Sequence, residues 1–367
     1  MKIQVTRFPT KVRGSAIIVA LLIMTLVATL ATAMAVQQMA QTEETTLVLN
    51  SDRMYLDAKA VESWAERLLI QDAQEVKNSG KSDIADSAID VLPQNFSGLT
   101  VGHGFQVSGK IQDLQGKFNL NNLTNEKYEE NLVNLILAVD PDIDAKQAKA
   151  IAVSVHDWVS KPKRKSNTNT TSTASAASDD NDSAGMSTPA NSSINRHYTG
   201  RHPPYRAAQA LMASASELRL ITGMTPNLYV RLQPFVTALP RMTPININTA
   251  SAPVIASLSS SIDLQTAMEM VQSRGDTPYS SLQDFMGDGA IQNANIPSAN
   301  ITMNSTYFLV SATVANSSEK MVLHAMLYRP LPTTSSANQA SDSQNGNGQK
   351  ANSQPMASIL WESRGGV

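Results

Sequence analysis

Five histidines, His103, His156, His197, His202 and His324, are the side chains of this chain best suited to hold a metal or move a proton near neutral pH. Their spacing builds no site. None belongs to an HExxH helix, in which two imidazoles one turn apart share a zinc ion beside a glutamate base. The GxxxxGK[ST] phosphate loop and the G-x-S-x-G nucleophile elbow are both absent. With no cysteine in 367 residues, disulfides and thiolate chemistry are excluded. His197 and His202, in RHYTGRH, read as solvated surface groups. Glu217 and Arg219, in SELRL, read as helix-start and surface residues. These residues point away from an enzyme.

The elements around them are more informative. Lys2, Arg7, Lys11 and Arg13 make a basic, acid-free beginning that stops at Gly14. From Ser15 to Gln41 there is no charged side chain, and Ala16 to Val36 is apolar apart from Thr25, Thr29 and Thr32. At about 1.5 Å per residue such a helix crosses a bilayer core of roughly 30 Å, with its basic end on the cytoplasmic side. Ala31-Thr32-Ala33 and Ala33-Met34-Ala35 imitate a signal-peptidase site, but the apolar run before them is long for a secretory signal. Beyond it, Leu47, Met54, Ala58, Val61, Ala65, Leu68 and Leu69 recur at helical spacing among charged residues, which predicts one helix continuing to about Glu75.

Further on, Phe105, Val107, Gly109, Ile111 and Asp113 alternate as in a strand, and a turn at Gln115-Gly116 predicts a hairpin with KFNLNNL. TYFLVSATV, KMVLHAMLYRP and ASILWESR supply three more strands. The segments between read as helical: ENLVNLILAV and AKQAKAIAVSVHDWV flank a turn at Asp140-Pro141-Asp142, and Thr225-Pro226 opens another helix after Gly223. Sheet segments so far apart in sequence imply a helical insertion within one sheet domain. The Ser/Thr/Asn-rich tract between the helices reads as a flexible loop.

ININTASAPVIASL followed by a second helix and an arginine also suits a helix-hairpin-helix DNA-binding module. Such modules need glycine in the hairpin so that backbone amides reach phosphates, whereas Ser259-Ser260-Ser261-Ile262 stands there without a basic cluster. The net charge of −2 offers no bulk attraction for nucleic acid either. Asn246, Asn248 and Thr249 are expected to cap the helix beginning near Ala252-Pro253.

The basic segment ending in Arg13-Gly14, with small Ser15 and Ala16 opening the apolar helix, resembles a type IV prepilin leader. That resemblance implies cleavage between Gly14 and Ser15 and methylation of Ser15. Most members carry glutamate at the fifth mature position; here it is Val19. A buried carboxylate without a cation is costly, so an apolar residue suits a subunit with none above it.

Together with DLQGKFNLNNL, VHDWV, HPPYRAAQALMASASELRLITGMTPNLYVRLQPFVTALP and TPININTASAPVI, in this order, the chain from Arg13 to Arg364 resembles the type II secretion minor pseudopilin K family, the general secretion pathway protein K family. The resemblance implies an α+β, pilin-like fold: a long N-terminal transmembrane helix on an antiparallel sheet, with a large all-α domain inserted in the sheet. The expected division is a leader at 1–14, the membrane helix at 15–41, and the stalk helix with the first strands at 42–122. The inserted helical domain follows at 123–300, with a disordered loop at 163–194 and a helix-hairpin-helix-like part at 244–290. The remaining strands occupy 301–367, with a second disordered loop at 333–355.

The resemblance further implies an inner-membrane protein, mostly periplasmic, at the tip of a pseudopilus. Its partners would be the minor pseudopilins I and J, the prepilin peptidase, the inner-membrane secretion platform, and the outer-membrane secretin or cargo. Leu47, Met54, Val61 and Leu68 are the expected row of contacts to partner helices, a row able to pack on the chain's own sheet as well. A static membrane-anchored binding or scaffold protein is the alternative, distinguished by the absence of leader cleavage. Calcium is the one cofactor the resemblance raises, at Asp157, Asp179, Asp180 and Asp182. The acidic pair expected before the tyrosine is replaced by Asn195-Arg196-His197-Tyr198, and Lys161, Lys163, Arg164 and Lys165 follow Asp157-Trp158. These departures count against such a site.

Overall fold

The computed structural model describes residues 13–79, 96–100, 104–161, 189–275, 278–289, 291–292, 294–330 and 357–365. Two compact units result, Met1–Asp57 and Ala58–Val367. Helix α1, Arg13–Ser79, supplies the described part of the first and enters the second.

In the first unit the apolar side chains have no cover. Ile17, Ile18, Val19, Leu22 and Met24 are all more than half exposed. The three threonines are accommodated by the helix itself, since Thr25, Thr29 and Thr32 each donate to a carbonyl one turn back, at 2.8–2.9 Å. A hydroxyl satisfied in this way tolerates a hydrocarbon environment. This is the one described helix long and apolar enough to cross a membrane.

In the second unit, α1 lies on an antiparallel sheet of β1 (Phe96–Thr100), β2 (Gln106–Asp113), β7 (Tyr307–Ala315), β8 (Lys320–Tyr328) and β9 (Ser358–Arg364), in that order. Ala58, Val61, Ala65, Leu69 and Ala73 form the buried stripe of the helix. Ala65 and Leu69 pack with Ile111, Phe308, Val310, Ala325 and Leu327. Alanines at every second contact let the helix axis come close, and Gly109 permits the closest approach: a Cβ there would lie 2.6 Å from Val61 Cγ1. Burying Val61 and Leu69 stabilises the packing by about 1.5–3 kcal/mol each. Lys59 ties helix to edge strand, donating to Glu62 at 2.6 Å and Glu362 at 2.9 Å. Burial opposes its charge, yet the two carboxylates hold the ammonium above its ordinary value.

Between β2 and β7 the chain leaves the sheet. The hairpin expected from β2 into KFNLNNL does not form. β2 pairs instead with β1 and β7, β3 (Phe118–Asn119) pairs in parallel with β4 (Val236–Thr237), and Leu120–Thr124 is a 3-10 helix. The alternation of Phe118 and Leu120 serves a helical core, which reaches from Phe118 to Met303. That core is built on α2 (Glu129–Val139), α3 (Ala145–Val159), α4 (Pro189–Thr199), α5 (Pro226–Leu232), α6 (Ala252–Ala256), α7 (Leu264–Arg274) and α8 (Leu282–Met286). Thr225 caps α5 by accepting from the Leu228 N–H, with Pro226 at the first turn. Helix α4 begins inside the stretch expected to be loop up to residue 194; the rest of that stretch, and 333–355, lie outside the described residues. The core closes through β5 (Ile245–Asn246) in parallel with β6 (Ile301–Thr302).

Candidate functional site

Two features of this fold bear on function: the exposed helix of the first unit, and the joint that carries the helical insertion on the sheet. The cleavage point expected at Gly14 and Ser15 lies in the first turn of α1, and most of the leader, 1–12, lies outside the described residues. Val19 is 55% exposed within the uncharged run. The row proposed for partner helices divides. Leu47 is exposed, whereas Met54 and Val61 are buried, Val61 against Gly109, and Leu68 is partly buried beside the sheet core. Val61 therefore serves the chain's own packing, and beyond the uncharged run the open apolar positions of the helix are Leu47, Val48, Leu49, Leu56 and Trp64.

The joint is polar and buried. Asp113, at the end of β2, accepts from the Gln115 N–H at 2.7 Å, the Ser305 hydroxyl at 2.6 Å, the Asn246 amide at 3.2 Å and the Thr249 hydroxyl. Burial pushes its carboxyl above the usual range, while these four donors pull the other way. Gln115 extends the tie, accepting from Thr306 N–H and hydroxyl and donating to the Pro244 carbonyl. Gly116 is needed because a Cβ would meet Thr249 Oγ1 at 2.7 Å and its carbonyl oxygen at 2.9 Å.

The asparagines of KFNLNNL continue the joint into the insertion. Asn119 accepts from the Leu239 N–H and donates to the Arg241 carbonyl. Asn121 bridges Met212 and Leu239, and Asn122 exchanges both bonds with the Thr243 backbone. A side-chain amide with both ends bonded substitutes for a strand where the chain has none to pair with.

This also corrects the capping expectation. Helix α6 has Ser251 at its N-cap with no side-chain bond. Asn246 and Thr249 are spent on Asp113, and Asn248 exchanges two bonds with the Tyr279 backbone. The arginine noted after the second helix, Arg274, donates to the carbonyls of Ile247 and Ala250. It thus closes the turn at 247–250 that leads into α6.

Other readings of single residues shift as well. Glu217 is no simple surface group: it accepts from the Trp158 indole at 3.0 Å and the Ala213 N–H at 2.7 Å, fixing the aromatic group of Trp158, Tyr198 and Tyr205. Arg219 stacks over the Tyr229 ring. His197 and His202 are exposed, while His103 lies outside the described residues. Arg329, not singled out in the sequence, is buried, bonded to Asp72 of α1 and to the Ser305 carbonyl, and stands over Phe308.

Of the calcium candidates, only Asp157 lies among the described residues. Burial raises the Asp157 carboxyl, and the charged groups that act on it are His156 and His197, not other acids. Asn195 is occupied with the Ala207 N–H. Asp179, Asp180 and Asp182 lie outside the described residues. Among the described residues no three His, Asp or Glu side chains gather as a metal would require.

Two family models, both of type II secretion system (T2SS) protein K, match residues 164–241 and 245–305. A type II secretion system protein K of Pseudomonas aeruginosa is 25% identical over 316 residues, covering 86% of this chain and 88% of its own. One from Klebsiella pneumoniae is 24% identical over 331 residues, covering 86% and 92%. A chain in the crystal structure of the GspK-GspI-GspJ complex from enterotoxigenic Escherichia coli shares the fold. Its TM-score is 0.58 at 19% identity, covering 87% of this chain and 99% of that one.

Proposed function

We propose, from the premise that the chain belongs to the type II secretion system protein K family, that it is a minor pseudopilin at the tip of a secretion pseudopilus. The supporting observation is the division of α1: an uncharged, uncovered first part in which Val19 stands where pilin-like subunits carry glutamate, and a second part bound to the chain's own sheet. A subunit inside a stack would need the carboxylate for its neighbour's amine. One at the top has no such neighbour, and an apolar residue there costs nothing.

In this reading the leader is removed between Gly14 and Ser15, Ser15 becomes the methylated N-terminus, and the single membrane helix is retained in the inner membrane with the remainder in the periplasm. Its assembly partners are the minor pseudopilins I and J, met through the open apolar positions Leu47, Val48 and Leu56, which are spread around the helix. The helical insertion, too bulky for close stacking and fixed by the Asp113 joint, caps and initiates the fibre. Platform, peptidase and secretin are the remaining contacts of that cycle. The chain supplies shape rather than catalysis, and the driving ATPase is a separate protein.

Intact-mass analysis of the chain purified from a secreting host tests this reading. The expected product begins at methylated Ser15, and Gly14→Leu leaves the leader in place. A mature wild-type chain that still carries residues 1–14 would instead identify a static anchor.

A further inference from the structure

On the sheet face opposite α1 lies a cleft of about 810 Å³, walled on one side by Ser214, Ser216 and Tyr229 of the insertion. Strand register builds its floor as two rows. Lys110, Ser311, His324 and Ser363 lie side by side across β2, β7, β8 and β9, and two residues along, Gln112, Leu309, Met326 and Trp361 do the same. One row is polar and the other mainly apolar, about 7 Å apart at strand rise, and each spans about 14 Å across four strands.

The polar row is positively charged at its β2 end, where Lys117 joins Lys110. Neither lysine has an ion-pair partner among the described residues. Burial, with the Lys110 charge beside it, pulls the Lys117 ammonium below its ordinary value. Two adjacent cations in a partly apolar cleft, on a chain of net charge −2, favour an incoming anion. The apolar row rules against a bare inorganic ion as the best fit.

We propose that this cleft binds an extended acidic peptide segment of another protein. The peptide backbone lies between the rows, and its alternate side chains fall to either side. Carboxylates meet Lys110 and Lys117, and apolar side chains cover Leu309 and Trp361, which are half-buried beside buried Met326. The inference does not depend on the pseudopilin assignment.

The probe is a fluorescein-labelled, capped hexapeptide of alternating glutamate and leucine, read by fluorescence anisotropy. The protein is the full chain in zwitterionic nanodiscs, with empty nanodiscs as blank. Saturable binding that weakens with salt is expected. The Lys110→Glu/Lys117→Glu double variant should lose at least about tenfold in affinity, equivalent to two repelling contacts, and should gain affinity for the lysine-leucine counterpart. Because Lys110 is exposed, Lys110→Glu alone leaves folding intact and should lower affinity about threefold. Absence of saturable binding, equal binding to both lysine variants, or equal binding of a glutamate-serine hexapeptide would overturn the proposal. So would a lysine-dependent dimer in sedimentation without peptide binding, which would assign the cleft to a second copy of the chain.

Discussion

Replacing Asp113 by alanine should loosen the helical insertion from the sheet while leaving both otherwise folded. The carboxylate accepts from four donors. Asn246 keeps a second acceptor in Ser305, and the Ser305 hydroxyl can turn, so the Gln115 N–H and the Thr249 hydroxyl lose most. A stranded buried donor costs about 1–3 kcal/mol, which puts the total near 4 kcal/mol, or about a thousandfold in an opening equilibrium. Hydrogen exchange by mass spectrometry on the full chain in nanodiscs reads this locally. The amides at 115–122 and 239–249, which bond across the joint, should exchange about a thousandfold faster, while those of β7 and β8 stay protected. An effect under about 1 kcal/mol at the joint, or equal loss of protection throughout the sheet, would refute the reading of Asp113 as the fastening of the insertion.

Three further outcomes follow from particular contacts. Gly109→Ala should cost about 1–3 kcal/mol by overpacking against Val61, and Gly109→Ala/Val61→Ala should recover part of that loss in urea unfolding, since the two positions share one contact. For Asp113, whose carboxyl is raised by burial from an unfolded value of 3.8, the native state keeps its proton over pH values where the unfolded state has lost it. Wild-type stability should therefore fall as pH rises from about 3.8 through the folded value and level off above it, and Asp113→Asn should abolish that part of the slope. Glu217→Ala leaves the buried Trp158 indole N–H and the Ala213 N–H without their acceptor, so unfolding should require about 1–3 kcal/mol less and the Trp158 emission should move to the red.

The elements legible in the sequence were those with a single dominant period. The uncharged run and the stripe of Ala58, Val61, Ala65 and Leu69 give α1, and three alternating segments give β7, β8 and β9. The joint was not legible, for a physical reason. In FNLNNL the alternation of Phe118 and Leu120 has the period of a strand, but the asparagines between them are buried hydrogen-bonding groups whose partners lie about 90 to 120 residues away. No local rule reports such partners. Asn246 and Thr249 misled in the same way, since their types suit a helix N-cap and only the fold reveals Asp113 opposite them. Three asparagines at 119, 121 and 122, interleaved with apolar Phe118, Leu120 and Leu123, were the available signal that backbone far away required satisfying. Val61 illustrates the converse: helical spacing marks it as apolar and inward, but cannot say whether the surface it meets belongs to the same chain or to a partner.

Co-expression of the full chain with minor pseudopilins I and J, followed by size-exclusion chromatography with light scattering, tests the tip assignment most directly. The account predicts a discrete complex containing one copy of this chain together with both partners, weakened when Leu47 and Leu56 are changed to charged residues. A homopolymer of this chain, or a monomer that ignores both partners, would contradict it.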